Sequence, residues 1–256
     1  MIHIGLAGWD SQSLYEAGIR SKDKLRLYSQ IYDTVEVNST YYQFPSEATI
    51  QNWHDTVPPA FRFSIKLNRL FTHDLGLRLP LEATARLSEF LTSFAQLGDK
   101  LSWFLVQLPP SLAADPAALD GFLSTMRKIL RESGLSAGIA VEFRHSTWYE
   151  PGTAEILARH QATQVISSSP GRWPCEWIAP HPESYLRLHG LKRMYHTPYS
   201  KDQLNRLKEW LDDARAPAWI YFDNTATQGA RDNSRYLMQI LGQPVPEETH
   251  QLTMDL

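Results

Sequence analysis

The sequence predicts an α/β protein built as one TIM-type (β/α)8 barrel, and three observations predict it. Eight short strand-like runs recur along the chain, and amphipathic helical segments separate them. The length of 256 residues also matches the roughly 250 that such a barrel uses as a single domain. Strand and helix in alternation is the pattern of βαβ units, which lay down a parallel sheet.

The strand runs cover residues 2–9, 34–40, 61–67, 103–108, 139–144, 163–168, 185–189 and 219–224. Between them, helices are legible from apolar spacing. Leu87, Phe90, Leu91, Phe94 and Leu97 recur at three- and four-residue steps before the fourth strand, and Leu119, Phe122, Leu123, Met126 and Leu130 do so after it. Each stripe gives its helix one face to lay on a sheet. Leu204, Leu207 and Leu211 mark another helix, and Leu237, Ile240 and Leu241 the last. Between strands six and seven, Pro170-Gly171-Arg172-Trp173-Pro174 reads as an irregular loop. Residues 1–242 are expected to form the domain, and 243–256, rich in Pro and Glu, a loose tail.

Composition narrows the function classes. With 8 Trp, 11 Tyr and 10 Phe the chain holds a sizeable core, unlike a disordered sequence. A net charge of -3 gives no bulk attraction for a polyanion. The single cysteine, Cys175, makes no internal disulfide, and no Cys/His spacing of a structural zinc site occurs. No apolar run approaches the roughly 18 residues that span a membrane, and the opening Met1-Ile2-His3-Ile4-Gly5 lacks a signal-peptide pattern. A cytoplasmic protein with no membrane partner is expected.

In such a barrel, catalytic side chains come from the carboxyl ends of several strands. Strand two ends Val35-Glu36-Val37-Asn38-Ser39-Thr40, and a two-residue period puts Glu36, Asn38 and Thr40 on the inward face and the valines on the helix side. Strand five places Glu142 and Arg144 together, followed by His145, and strand seven places Tyr185, Arg187 and His189 together before Gly190. Lys66 ends strand three with Thr72-His73 just beyond; Gln107 ends strand four, and Asp223-Asn224 strand eight. Inward charges from several strands imply pairing, water or a ligand at a shared site. Any one pair, such as Glu142 with Arg187 or Lys66 with Glu36, equally suits an interior ion pair, and Trp9, Tyr41 and Trp148 suit rim packing. What interior pairing explains poorly is that four strands carry polar pairs or triplets at the same end.

The motifs resemble the YecE-like family, also called domain of unknown function 72. They are Gly8-Trp9, residues 34–42 with Pro45-Ser46, residues 61–66 with Thr72-His73, Gln107-Leu108-Pro109-Pro110, residues 141–145 with Trp148, residues 186–190, and residues 221–225. The resemblance spans nearly the whole chain. It implies a TIM barrel of the xylose-isomerase and endonuclease IV type, with no settled reaction. It carries over Glu36, Asn38, Lys66, His73, Gln107, Glu142, Arg144, His145, Arg187, His189 and Asn224. Two departures stand out: Ser167-Ser168-Ser169 lies where the family has an acidic residue, and the loop over residues 10–20 lacks a second Trp.

Two functional readings of different kinds follow. In the first the pocket is an enzyme's, and Arg144, Arg187 and Lys66 hold a small anionic or phosphorylated, sugar- or nucleotide-like substrate, since guanidinium forks match such groups. Glu36 or Glu142 is the expected general base and His73 or His189 its acid partner. Trp9, Asn38, Gln107, His145 and Asn224 complete the expected substrate-binding set. In the second reading the pocket binds a metabolite or a nucleic-acid end without turnover, nucleic acid being the less favoured for a mildly acidic chain. The enzyme is preferred, because anion capture alone does not need acid-base groups; hydrolase, lyase and isomerase types stay open, as does the oligomeric state. No cofactor is expected. A divalent metal on Glu36, Glu142, His145 and His189 is the alternative, opposed by three neighbouring cations and the lack of HExxH-type spacing.

Overall fold

Each strand carries one face for the barrel interior and one for the helices, and the two faces sort into separate clusters. The computed structural model describes residues 1–11, 14–15, 17–168 and 182–245. The described elements run β1 (Ile2–Leu6), α1 (Ser21–Tyr28), β2 (Thr34–Val37), α2 (Glu47–Thr56), β3 (Arg62–Lys66), α3 (Leu81–Ser93), β4 (Leu101–Gln107) and α4 (Pro116–Glu132). They continue with β5 (Gly138–Glu142), α5 (Pro151–Arg159), β6 (Ala162–Ser168), β7 (Ser184–Leu188), α6 (Lys201–Ala214), β8 (Ala218–Phe222) and α7 (Gly229–Ile240). All eight expected strands are present and form one parallel sheet in the order β1-β8-β7-β6-β5-β4-β3-β2. The α/β barrel is therefore the fold.

Inside the barrel, Trp103, Leu105, Ala140, Val165, Tyr185, Trp219 and Tyr221 form one buried cluster. Their strand neighbours on the other face, including Phe104, Val141, Leu186 and Ile220, join helix residues such as Leu87, Phe122 and Leu204 in the larger core. The period of two thus separates an inner layer from an outer one. Helix starts are set by side chains that accept orphan amide hydrogens. Ser46 accepts from Thr49 N before α2, Asp115 from Ala118 N before α4, and Ser200 with Gln203 makes a reciprocal box at α6.

The barrel closes between β1 and β2, the two ends of the sheet order, and a tyrosine bridges that seam. Tyr28, the last residue of α1, accepts from Leu6 N at 2.8 Å and donates to Thr34 O at 2.9 Å, replacing a ladder bond. Gly5 permits the approach, since a Cβ there would lie 2.2 Å from Thr34 O.

Two expectations are corrected. β2 ends at Val37 and turns into a 3-10 segment, Ser39–Tyr41, so Thr40 is not a third inward residue. Its hydroxyl donates to Val37 O and Lys66 O at 3.0 and 2.6 Å and ties the strand end to β3. The tail does not start loose at Gln243, whose amide donates to Ile2 O at 2.7 Å while Val245 packs on the core. The expected loop at residues 170–174 and the rest of the tail lie outside the described residues. Among the described residues no helix is long and apolar enough to cross a membrane.

The seam gives a direct test. Tyr28→Phe removes a hydroxyl but leaves the buried Leu6 N–H and Thr34 C=O without partners, at about 1–3 kcal/mol for each orphaned group. Urea unfolding should show that loss, and unchanged stability would mean that the tyrosine does not close the barrel.

Candidate functional site

At the carboxyl ends of the strands one guanidinium organises three carboxylates. Arg187, from β7, is 1% exposed. Its Nε donates to Glu36 Oε2 at 3.0 Å and its Nη2 to Glu36 Oε1 at 2.8 Å. Nη1 donates to Glu142 Oε2 at 2.5 Å and Nη2 to Asp223 Oδ2 at 3.1 Å. Glu36 also accepts from Tyr185 OH at 2.7 Å and Asn38 Nδ2 at 3.2 Å. Glu142 also accepts from Ser167 Oγ at 3.1 Å and from Arg144 at 3.3 Å. Both glutamates are completely buried, as their inward position predicts.

His189 sits between two carboxylates, its Nδ1 2.9 Å from Asp223 Oδ2 and its Nε2 3.0 Å from Glu142 Oε1. Acceptors on both sides favour a proton on both nitrogens. Burial alone would lower its pKa, but the bonds to Asp223 and Glu142 outweigh burial and raise it. Burial likewise works against the charge of Glu142, yet Arg144, Arg187 and His189 hold its carboxyl well below the usual range; Arg187 and His189 do the same for Asp223.

Lys66 differs from every other charge here. It is half-buried at the end of β3, and its Nζ lies 4.5 Å from the centroid of the Tyr41 ring. No carboxylate is within ion-pair distance of it among the described residues. Burial first, then the Arg187 charge, lowers its pKa to about 8, with Glu36 and Glu142 opposing. His73 lies on the π-helical turn Leu70–Asp74, edge-on to Tyr41 with centroids 5.1 Å apart. Burial, then Lys66 and Arg144, push it down to about 4, so it is neutral at pH 7.

Beside the charges a cavity of about 360 Å³ opens between Trp9, Asn38, Ser39, Tyr195 and Thr225. Tyr195 stands edge-on over the His189 ring, 5.6 Å between centroids. The buried Oδ1 of Asn38 has no hydrogen-bond partner among the described residues. A larger cavity, about 660 Å³, lies at the opposite end of the barrel among Trp103, Gly138, Glu183 and Trp219, remote from these groups.

The structure thus gathers Glu36, Asn38, Glu142, Arg144, Arg187 and His189 in one network, with Lys66 and His73 beside it. Four assignments change. Arg187, expected to hold a ligand anion, is sealed inside and bonded to three carboxylates. His145 serves as a local cap, its Nδ1 accepting from Thr147 N at 3.3 Å, because the strand has already ended at Glu142. Asn224 is a buried loop anchor donating to Thr197 O at 3.2 Å. Gln107 is buried and donates to Leu108 O at 2.6 Å. Asp223, Tyr185 and Ser167 are named from the sequence at their strand ends without a role in the site, and Tyr195, on a loop with no such signal, is missed. Of the four alternative metal donors, Glu36, Glu142 and His189 meet in the network around the Arg187 guanidinium, whereas His145 caps a turn. Among the described residues no group of three or more His, Cys, Asp or Glu is arranged to hold a metal ion.

A family model described as "Protein of unknown function DUF72" matches residues 3–253. The chain belongs to the DUF72 family. Among curated relatives, this DUF72 chain is 22% identical over 273 residues to the UPF0759 protein YunF of Bacillus subtilis, covering 94% of this chain and 95% of that one. It is 27% identical over 190 residues to the UPF0759 protein YecE of Escherichia coli O157:H7, a match covering 72% of this chain and 64% of the relative's length. The crystal structure of a DUF72 protein from Enterococcus faecalis superposes with TM-score 0.82 at 21% identity, covering 100% and 99% of the two chains. D-psicose 3-epimerase, solved in the presence of D-fructose, superposes with TM-score 0.61 at 9% identity over 94% and 99%. At these identities the superpositions show a shared fold.

The network predicts a pH and mutation response. Glu142 and Asp223, with lowered pKa values, add stability that is present above their unfolded values near 4 and is lost as the pH falls. His189, raised from 6.5, adds stability that is full below that value and fades as the pH rises through its folded pKa. Arg187→Met leaves three buried carboxylates facing one another and should cost about 3–5 kcal/mol in urea unfolding. Glu142→Gln should also destabilise, so it does not test catalysis cleanly. Wild-type stability in Arg187→Met would mean that the guanidinium does not hold the strand ends together.

Proposed function

We propose that this DUF72 chain is an enzyme acting on a small anionic, sugar-like substrate by acid-base chemistry at the carboxyl end of the barrel. The observation that carries the reading is the unmatched charge of Lys66. Glu36 is taken by Arg187, Glu142 by Arg144 and Asp223 by His189, which leaves Lys66 at the mouth without a carboxylate among the described residues. A half-buried ammonium in that position either accepts an external anion or gives up its proton.

The substrate body would sit in the cavity beside Asn38. Trp9 and Tyr195 offer aromatic surface, and the unpartnered Asn38 Oδ1 calls for a donor such as a hydroxyl. A sugar-like body also agrees with the name of D-psicose 3-epimerase, which shares the fold. Proton transfer falls to Lys66 and His73. Glu36 and Glu142 are poor bases here, because each is saturated with donors and Glu142 holds its charge to low pH. That saturation favours the second reading, a noncatalytic metabolite-binding protein with the same pocket. Turnover of any substrate that binds decides between them.

Thermal unfolding tests the shared element. Inorganic phosphate, sulfate and sugar phosphates should raise Tm saturably, approaching about 2.7 kcal/mol of stabilisation at 100 times Kd. Lys66→Met should remove most of the rise while Lys66→Arg keeps it. The same substitution to Met should raise Tm of the ligand-free protein at pH 7, since it removes a cation that the fold disfavours. No response to any anion would leave an interior ion-pair cluster as the better description.

A further inference from the structure

We propose that Lys66 is a covalent catalyst whose amine condenses with the aldehyde or ketone of a small anionic carbonyl compound. The inference rests on the anion-binding reading above and deepens it. A lysine that attacks carbon has to be reachable, neutral for part of the time, and unshared with a carboxylate.

Lys66 meets the three conditions by its place in the fold. It is the last residue of β3, two residues after the inward Ser64 that bonds Tyr185 OH at 2.6 Å, so it faces the barrel axis at the open end. Being half-buried, its side chain retains a path to the mouth. Its nitrogen rests against the face of Tyr41 and makes no hydrogen bond or ion pair among the described residues. The groups that bear on its charge come from every neighbouring element: Glu36 on β2, Glu142 and Arg144 at the end of β5, Arg187 on β7, Asp223 after β8 and His73 on the turn beyond β3. The acidic ones are each matched by another cation, so none secures the proton of Lys66. With a value of about 8, roughly a fifth of the amine is neutral near pH 7.4, against about one part in a thousand for an ordinary lysine.

The chemistry balances without an oxidant or reductant. The amine lone pair forms the C–N bond as the C=O π pair moves to oxygen, which takes a proton from solvent or from a neighbouring acid. Nitrogen passes one of its protons to the same oxygen, and the C–O bond then breaks with water as the leaving group while the nitrogen lone pair forms the C=N bond. The product is an iminium whose positive charge stands where the ammonium stood, so the mouth keeps its charge balance, and addition of water regenerates the amine. The neutral imidazole of His73, on the other edge of Tyr41, is placed to exchange protons at the mouth.

Reductive trapping tests the proposal on the full chain. The protein is incubated with dihydroxyacetone phosphate or pyruvate and sodium cyanoborohydride, then peptide-mapped by mass spectrometry. The adduct is expected on the peptide carrying Lys66, formed roughly tenfold or more faster than on exposed lysines such as Lys22 and Lys192. Its rate should rise with a midpoint near pH 8, and inorganic phosphate should compete. Lys66→Arg should stay unlabelled at that peptide while keeping its Tm response to phosphate. Adducts spread over the exposed lysines without preference for Lys66 would overturn the proposal. If the phosphate response persists in that case, only covalent catalysis fails; if it is missing as well, the anion-binding reading fails with it.

Discussion

The architecture of the barrel mouth depends on one buried guanidinium. Arg187 rises from β7 and bonds Glu36 of β2, Glu142 of β5 and Asp223 beyond β8, joining strand ends that the sheet order keeps apart. Three carboxylates so close together would repel one another; Arg187 between them offsets that repulsion, and it helps hold Glu142 and Asp223 ionised. Burying such a cluster is costly, and hydrophobic side chains of the same volume would pack there at least as well. Its effect is geometric. The fork fixes the direction of each carboxylate, and each carboxylate then fixes a second cation or donor: Tyr185 on Glu36, Arg144 and Ser167 on Glu142, His189 between Glu142 and Asp223.

From this arrangement the position of the unmatched charge follows. Once Arg187, Arg144 and His189 have taken the carboxylates, Lys66 rests, among the described residues, on an aromatic face. Burial first, and then the neighbouring cations, depress Lys66 and His73; in the proposed reading the same cations would draw an anion, and the aromatic-walled cavity beside Asn38 would take the rest of a small molecule. The residues that carry the resemblance to DUF72 include both the sealed network and the groups at its rim. D-psicose 3-epimerase shares the barrel, and a fold alone carries no chemistry.

Much of this was legible in the sequence, for a simple reason. A strand alternates its faces with period two, so Val35-Glu36-Val37 and Val141-Glu142-Phe143 declare which residues point inward without any knowledge of the rest. Direction is local, but partnership is not. Glu36 and Arg187 are 151 residues apart, and nothing in either strand says that their side chains meet across the axis, so Arg187 read equally well as a ligand's partner. Parity also expires where a strand ends. Thr40 and His145 lie past the last paired residue, and both became turn-forming residues. Tyr28 looks like an ordinary buried residue of an amphipathic helix, because its bridging hydroxyl matters only once β1 and β2 are brought together. Tyr195 sits on a loop whose path is set by tertiary packing, with a positive φ of 66°.

The charge state of Lys66 is the point on which the reading turns, and it is directly observable. A ¹³C-edited NMR titration of the lysine ε-methylene groups, with Lys66→Arg to assign the resonance, follows that one amine while the others titrate as surface groups. The structure predicts a midpoint of about 8 that moves upward when phosphate is present, because a bound anion restores the missing counter-charge. A midpoint near 10.4, unmoved by phosphate, would show that the ammonium is already satisfied and would contradict the reading.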